Sequence, residues 1–289
     1  MKNIALTGET GVLGVRIQEY FKDTNFIIYD GDIRDEKEVK RFCRESVTCD
    51  AFFHLAALVP KQSVDSDFTE AFDINVRGTL NVLEGLRQLG SYSPWLFYAS
   101  SSHVYSSSPL PMKEDGKLEP FTMYGMTKLQ GEQLCQTYVR EFGLKIGIGR
   151  IFSFSDTLQP NLYFIPAMIQ KIKNAERNAI VEISGINGER DFLTTQQISK
   201  SIEFLYKNNF TGVVNIGTGI GSQLLTVVER IAELLGRNDL SIIAKDGKPT
   251  FHVSDSSVLF NLGLKLDNKI DILITDMVRD VKIKDLKLK

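Results

Sequence analysis

Two side chains four residues apart, Tyr124 and Lys128, carry the most direct chemical suggestion in this 289-residue sequence. At helical spacing they share one face. A phenol ordinarily titrates at about 10, and a neighbouring ammonium draws it toward neutrality as an acid–base group. With nine tyrosines in the chain, one Tyr-x-x-x-Lys arises by chance about once, so its setting must decide. Upstream, the apolar run Trp95 to Ala99 leads into Ser100-Ser101-Ser102-His103-Val104-Tyr105. A hydroxyl there can donate to a carbonyl oxygen as it gains negative charge.

A third constellation precedes both. Thr7-Gly8-Glu9-Thr10-Gly11-Val12-Leu13-Gly14 follows the first apolar run and opens a helix. Its glycines permit a tight turn, close approach of backbone to a pyrophosphate, and close packing of helix on strand. No Gly-Lys-Ser/Thr closes the loop, which excludes a Walker-type phosphate loop. Dinucleotide binding follows. Asp30 and Asp32 lie where the second strand should end, the place of an acid that takes the adenosine ribose hydroxyls. Arg16 and Arg34 could accept a 2′-phosphate, so NAD and NADP both stay open.

These groups need a scaffold that gathers strand ends. Apolar runs at 4–6, 26–29, 51–55, 95–99 and 146–151 read as buried strands, with a later one at 213–216. Helical patterns at 12–21, 36–44, 72–89 and 123–142 lie between them. That alternation predicts an α/β fold with a doubly wound parallel sheet, whose ligands sit at the carboxyl ends of the strands. Residues 1–155 form the expected dinucleotide-binding domain, with a strand near 213–217 returning to it. Residues 156–289 form a smaller, mainly substrate-binding α/β lobe. Lys282, Lys284, Lys287 and Lys289 read as a solvated tail.

Composition narrows the partners. Lys+Arg of 34 against Asp+Glu of 36 leaves no basic surplus for nucleic acid. Three cysteines, Cys43, Cys49 and Cys135, form no CxxC pair, which suits a reduced cytoplasmic protein and no metal site. No apolar window is long enough for a membrane span, and the N-terminus lacks the pattern of a secretory signal.

Together the motifs resemble the extended short-chain dehydrogenase/reductases, the NAD-dependent epimerase/dehydratase family, which act on nucleotide sugars and carry a Rossmann sheet. Carrying the likeness, besides the glycine loop, are Gly31-Asp32-Ile33-Arg34-Asp35, His54-Leu55-Ala56-Ala57, Asn75-Val76-x-Gly78-Thr79-x-Asn81-x-Leu83, Ser100-Ser101 before Val104-Tyr105, Tyr124-x-x-x-Lys128 and Arg190-Asp191-Phe192. The resemblance implies a catalytic set of Ser101, Tyr124 and Lys128. It implies a cofactor seat of Gly8, Gly11, Val12, Leu13, Gly14, Asp32, Ile33, Leu55, Ala56, Ala57, Asn75, Ala99, Tyr124, Lys128 and Ile151. Asp32 and Ile33 would hold the adenine. Ser102, His103, Ser153 and Arg190 would meet the substrate, with Ser153 standing where the family usually has an Asn. The resemblance also implies a homodimer through helices 72–89 and 123–142.

Positions 102 and 103 separate the family's reactions. Dehydratases place an acid there, and this chain has Ser102 and His103. Double epimerisation needs a second histidine, and the others are His54, in a cofactor strand, and His252, near the C-terminal end. The fusion of the second strand with Gly31-Asp32-Ile33 resembles the reductases that make GDP-6-deoxy-D-mannose and its heptose analogue. The expectation is NAD(P)H-dependent reduction of the C4 ketone of a nucleotide-linked, GDP-type, 4-keto-6-deoxy sugar. A nucleotide-sugar 4-epimerase using NAD is the alternative. A non-catalytic dinucleotide-binding protein is a third, less favoured reading.

Overall fold

The computed structural model describes residues 2–59 and 66–287. The first half alternates as the apolar runs require: β1 (Lys2–Thr7), α1 (Val12–Tyr20), β2 (Thr24–Tyr29), α2 (Glu36–Glu45) and β3 (Ala51–His54). Then come α3 (Phe68–Phe72), a π turn (Asp73–Arg77), α4 (Gly78–Arg87), β4 (Trp95–Ser101), α5 (Met123–Phe142) and β5 (Ile146–Ile151). The second half holds β6 (Ser153–Ser155), α6 (Phe164–Asn174), β7 (Ile180–Ser184), β8 (Glu189–Arg190), β9 (Phe192–Thr194), α7 (Thr195–Lys207) and β10 (Gly212–Ile216). It closes with β11 (Ser222–Gln223), α8 (Leu224–Leu235), β12 (Ser241–Lys245), β13 (Phe251–His252), α9 (Ser257–Asn261) and α10 (Ile270–Lys287).

Six strands form one parallel sheet in the order β10-β5-β4-β3-β1-β2. Strand side chains alternate between its faces. Ile4, Leu6, Phe53 and Phe97 pack on one side with Ile17 of α1 and Ile198, Ile202 and Leu205 of α7. Ala5, Phe52, Leu96 and Tyr98 pack on the other with Val39 and Phe42 of α2, Val82 and Leu86 of α4, and Cys135 of α5. A third core, built from Ile165, Ile169 and Ile172 of α6, Val181 and Ile183 of β7 and Val227, Val228 and Ile231 of α8, sits in the second half.

Two features depart from the sequence reading. Residues 270–287 form a helix that the sequence reading omits, with Leu273, Ile274, Met277 and Val278 buried in the third core; it runs on into the stretch read as a solvated tail, where Lys282 and Lys284 are exposed. Frequent lysines on its outer side hide the apolar stripe from a reading by composition. Lys289 lies outside the described residues. The second half also contains more strands than its sequence suggests, because β8, β11 and β13 are two residues each and show no period. No helix among the described residues is long and apolar enough to cross a membrane.

Candidate active site

The glycine loop is shaped by contacts that only glycine permits. Gly8 has φ +79, and a Cβ there would lie 2.6 Å from the Ala56 nitrogen and 2.8 Å from the Leu55 carbonyl carbon. A Cβ on Gly14 would lie 2.2 Å from the Gly8 oxygen. Both contacts are with backbone, so neither can yield cheaply. Gly11, exposed at the N-cap of α1, has no side chain capping the helix. The first-turn N–H groups there suit a pyrophosphate. Leu55, Ala56 and Ala57 continue β3 as a half-buried wall beside Gly8, and Val12 and Leu13 start α1.

Beneath this wall a buried polar chain runs toward the Tyr/Lys helix. Thr7 Oγ1 meets His54 Nδ1 at 2.8 Å, and His54 Nε2 meets Thr79 Oγ1 at 3.1 Å. Thr79 donates to the Asn75 carbonyl at 2.7 Å, and Asn75 Nδ2 donates to Thr127 Oγ1 at 3.0 Å. Burial drives the His54 pKa down to about 3, so the ring is neutral. Asn75 is 1% exposed, and its amide is spent on Thr127 and on the Leu58 backbone. Its side chain therefore braces the loop after β3. Ile33 is likewise core, packed over Gly78, so ligand contact falls to its main chain.

Tyr124 and Lys128 occupy the first two turns of α5, whose start is capped by Thr122 Oγ1 accepting from the Gly125 N–H at 3.0 Å. Two glycines let this helix lie against β4. A Cβ at Gly125 would meet the His103 carbonyl oxygen at 2.1 Å, and one at Gly131 would meet the Tyr98 hydroxyl at 2.0 Å. That closeness brings Ser101, last residue of β4, near enough to the Tyr124 phenol for its hydroxyl to favour the phenolate. Lys128 Nζ donates to the Ala99 carbonyl at 2.9 Å and stands 5.9 Å from the Tyr124 ring centre. Ile151 faces Ser101 in the β4–β5 register.

Electrostatics here differ from the expectation of a depressed phenol. Burial pushes Tyr124 well above its ordinary value and brings Lys128 down to about 8. The nearby Ser101 hydroxyl opposes the Tyr124 rise. Without a nicotinamide the phenol is thus held as a proton donor.

Below the trio lies a buried ion pair. Arg150 Nη2 donates to Glu132 Oε2 at 2.7 Å, with both side chains at most 2% exposed. Ser100 donates to the same carboxylate, and Arg150 Nη1 donates to the Tyr105 hydroxyl at 2.7 Å. Such a pair contributes when every lone pair is satisfied, as it is on this network.

The substrate-side residues are less uniform. Ser102 is buried in the turn after β4, and Ser153 is half-buried on β6, paired with Phe192 of β9. Arg190 is half-buried on β8 and donates to the Thr250 carbonyl at 2.6 Å and hydroxyl at 2.5 Å. Burial lowers its pKa to about 10, and no carboxylate pairs with it among the described residues. Its neighbour Asp191 turns inward and accepts from Thr218, Gly219 and Ser254, tying β9 to the loops after β10 and β13.

One residue dismissed on sequence position joins the site. Strand β13 pairs with β8 so that His252 stands beside Arg190. The His252 ring stacks on His103 at 5.8 Å, and His103 meets Tyr124 edge-on at 5.7 Å. His252 is 2% exposed, and neither ring nitrogen has a hydrogen-bond partner. Burial, with Arg190 and His103 nearby, lowers its pKa to about 3. Phe121 packs on both histidines, and Tyr163, at the N-cap of α6, lies close enough to raise the Tyr124 pKa. A two-residue strand carries no periodicity, so nothing in the sequence signals that 252 returns to 103.

A family model described as the NAD dependent epimerase/dehydratase family matches residues 4–217. An uncharacterised UDP-glucose epimerase of Bacillus subtilis is 30% identical over 210 residues, 71% of this chain and 62% of that protein. UDP-glucuronate 4-epimerase of Thermodesulfobacterium geofontis is 28% identical over 250 residues, 84% of this chain and 73% of that protein. GDP-6-deoxy-D-mannose reductase of Pseudomonas aeruginosa is 27% identical over 192 residues, 64% of this chain and 63% of that protein. The chain thus spans a little under two thirds of the length of the Bacillus and Pseudomonas relatives. Among solved structures, RMD from P. aeruginosa complexed with NADPH superposes with a TM-score of 0.86 at 22% identity, covering 98% of this chain and 100% of that one. UDP-glucose 4-epimerase of Thermus thermophilus in complex with NAD gives 0.84 at 20% identity, covering 97% and 99%. At these identities the likeness is one of fold.

Proposed function

The chain belongs to the NAD dependent epimerase/dehydratase family, and from that premise we propose that it reduces the C4 ketone of a nucleotide-linked 4-keto-6-deoxy sugar. The observation that carries this reading is the Ser101–Tyr124–Lys128 cluster with its phenol held protonated. A bound NAD(P)H supplies the hydride to C4. Ser101 donates a hydrogen bond to the ketone oxygen, and Tyr124 gives that oxygen its proton. Lys128, charged below about pH 8, stabilises the phenolate that remains. Arg190, a half-buried cation that no carboxylate pairs with among the described residues, takes the substrate's nucleotide, and the orphaned His252 nitrogens bond sugar hydroxyls.

The glycine-loop residues, Leu55 to Ala57 and Asp32 bear the cofactor. Residues 1–155 with β10 form the cofactor domain, and most of 156–289 the substrate lobe, although α7 packs on the main sheet. The enzyme works in the cytoplasm as a homodimer through α3–α4 and α5, which expose Phe72, Met123 and Phe142. A 4-epimerase is the second reading, favoured by the epimerases among the relatives.

Oxidation of NAD(P)H followed at 340 nm with GDP-4-keto-6-deoxy-D-mannose tests the reductase. Stoichiometric loss of absorbance is expected. No loss, with interconversion of 4-hydroxy nucleotide sugars, selects the epimerase. Tyr124→Phe is expected to lower turnover at least about 100-fold at unchanged cofactor affinity. Unaltered turnover removes Tyr124 from the chemistry.

A further inference from the structure

Lys128 is a buried ammonium whose Nζ donates to the Ala99 carbonyl and sits 5.2 and 5.9 Å from the ring centres of Tyr98 and Tyr124. A buried cation needs an anion nearby to offset its lost hydration. One turn further along α5 stands Glu132, 1% exposed and on the same helix face. Its carboxylate is held from two other elements. From β5, Arg150 donates through Nε to Oε1 at 3.0 Å and through Nη2 to Oε2 at 2.7 Å. From β4, the Ser100 hydroxyl donates to Oε1, and Ser100 directly precedes Ser101. The guanidinium cannot swing away, because Nη1 donates to the Tyr105 hydroxyl at 2.7 Å and to the Glu114 carbonyl at 2.8 Å.

The charges around this clamp do not balance. Burial pushes up the phenols of Tyr98 and Tyr124 and the Cys135 thiol, and drives His54 of β3 down to about 3, so these neighbours are uncharged near neutral pH. Tyr105, pushed up by burial to about 12, and Glu114 lie on the Nη1 side of the guanidinium, away from Glu132. The Glu114 carboxyl, raised by burial, accepts from the Asn215 N–H at 2.8 Å. Lys128 and Arg150 thus stand as two cations about the carboxylate of Glu132. One positive charge is left over, and a Tyr124 phenolate cancels it.

We infer that Glu132 is a positioning residue of this site: clamped by Arg150 and Ser100, it fixes the strand end bearing Ser101 against the helix turn bearing Tyr124, and it supplies the anion that steadies the Lys128 ammonium. The inference rests on Tyr124 and Lys128 being the acid–base pair, and not on which sugar is reduced.

The test is the titration of Lys128 itself, followed by NMR of its ε-carbon in lysine-labelled apo-protein, with Lys128→Met identifying the signal. A midpoint of about 8 is expected in the wild type. Glu132→Gln removes the anion and keeps Arg150, so the midpoint should fall by about 1 pH unit. Arg150→Gln keeps the anion and removes a cation, so the midpoint should hold or rise. A part played by shape alone would not separate the two. Each single change strands a buried charge. The double variant Glu132→Gln/Arg150→Gln strands none and guards against a failure to fold. Because Glu132 is the partner whose charge acts on Lys128, the double variant's midpoint should still fall, by about half a pH unit. With GDP-4-keto-6-deoxy-D-mannose and NAD(P)H, the alkaline limb of kcat should move with the Lys128 midpoint in each variant. An unmoved midpoint in Glu132→Gln or in the double variant overturns the inference. So does a fall in Arg150→Gln, or a kcat that drops with its alkaline limb in place. Shifted midpoints in a protein that reduces no sugar leave the inference standing and overturn the reductase reading alone.

Discussion

Two buried histidines stand for the two halves of the molecule. His54, under the cofactor loop, has both ring nitrogens hydrogen-bonded to threonines, whereas His252, in the substrate half, has neither bonded. Burial makes each of them neutral, with pKa values near 3. The first half ties its buried imidazole into a polar chain from Thr7 through Thr79 and Asn75 to Thr127. The second half leaves a buried imidazole without a hydrogen-bond partner, beside a guanidinium that bonds Thr250 but no carboxylate among the described residues. Leaving a buried polar group open costs stability.

The comparison can be pressed hardest with acid. Each histidine is neutral when folded and titrates near 6.5 when unfolded, so between about pH 3 and 6.5 the unfolded chain binds more protons. Stability is full above pH 6.5 and falls with pH through that window, by up to about 1.4 kcal/mol per unit for each ring. Urea midpoints across pH 4–7 check this, and His252→Leu should halve the histidine share of the slope.

Gly14→Ala tests the first half next. Its Cβ would sit 2.2 Å from a backbone oxygen, and a loss of about 4 kcal/mol in chemical unfolding is expected, together with loss of NADH binding. Wild-type stability in this variant would break the picture of a locked loop.

The histidines themselves should then diverge in sign. His54→Leu strands the Thr7 and Thr79 hydroxyl contacts and should cost about 2 to 3 kcal/mol. His252→Leu removes two orphaned nitrogens and should stabilise by about 1 kcal/mol, while raising KM for the nucleotide sugar about 10-fold. Destabilisation by His252→Leu, or an unchanged KM, would show that the substrate half is satisfied by itself after all.

The same contrast explains what could be read from the residues alone. Strands β1 to β5 and their helices follow from apolar runs and glycines because local periodicity and right-handed crossovers leave few alternatives. Tyr124 and Lys128 are visible because they lie on one turn of one helix. His252 and Arg190 meet through a register between two-residue strands, which no period encodes. Arg16 reads as a phosphate ligand until the fold delivers Asp156 from 140 positions away. The rise of the Tyr124 phenol was equally invisible, since burial depends on how closely Gly125 lets α5 approach the turn after β4.

The sixth strand of the main sheet has a consequence for biosynthesis. β5 ends at Ile151, yet its edge partner β10 begins at Gly212, and α7, which covers the α1 face, spans Thr195–Lys207. A chain emerging from the ribosome therefore displays an unfinished sheet, with Trp95 lacking its contact with Tyr206 of α7, while some sixty further residues are translated. At ~5–20 residues per second that window lasts several seconds. The strand order thus leaves five of the six strands waiting for their edge partner and for α7.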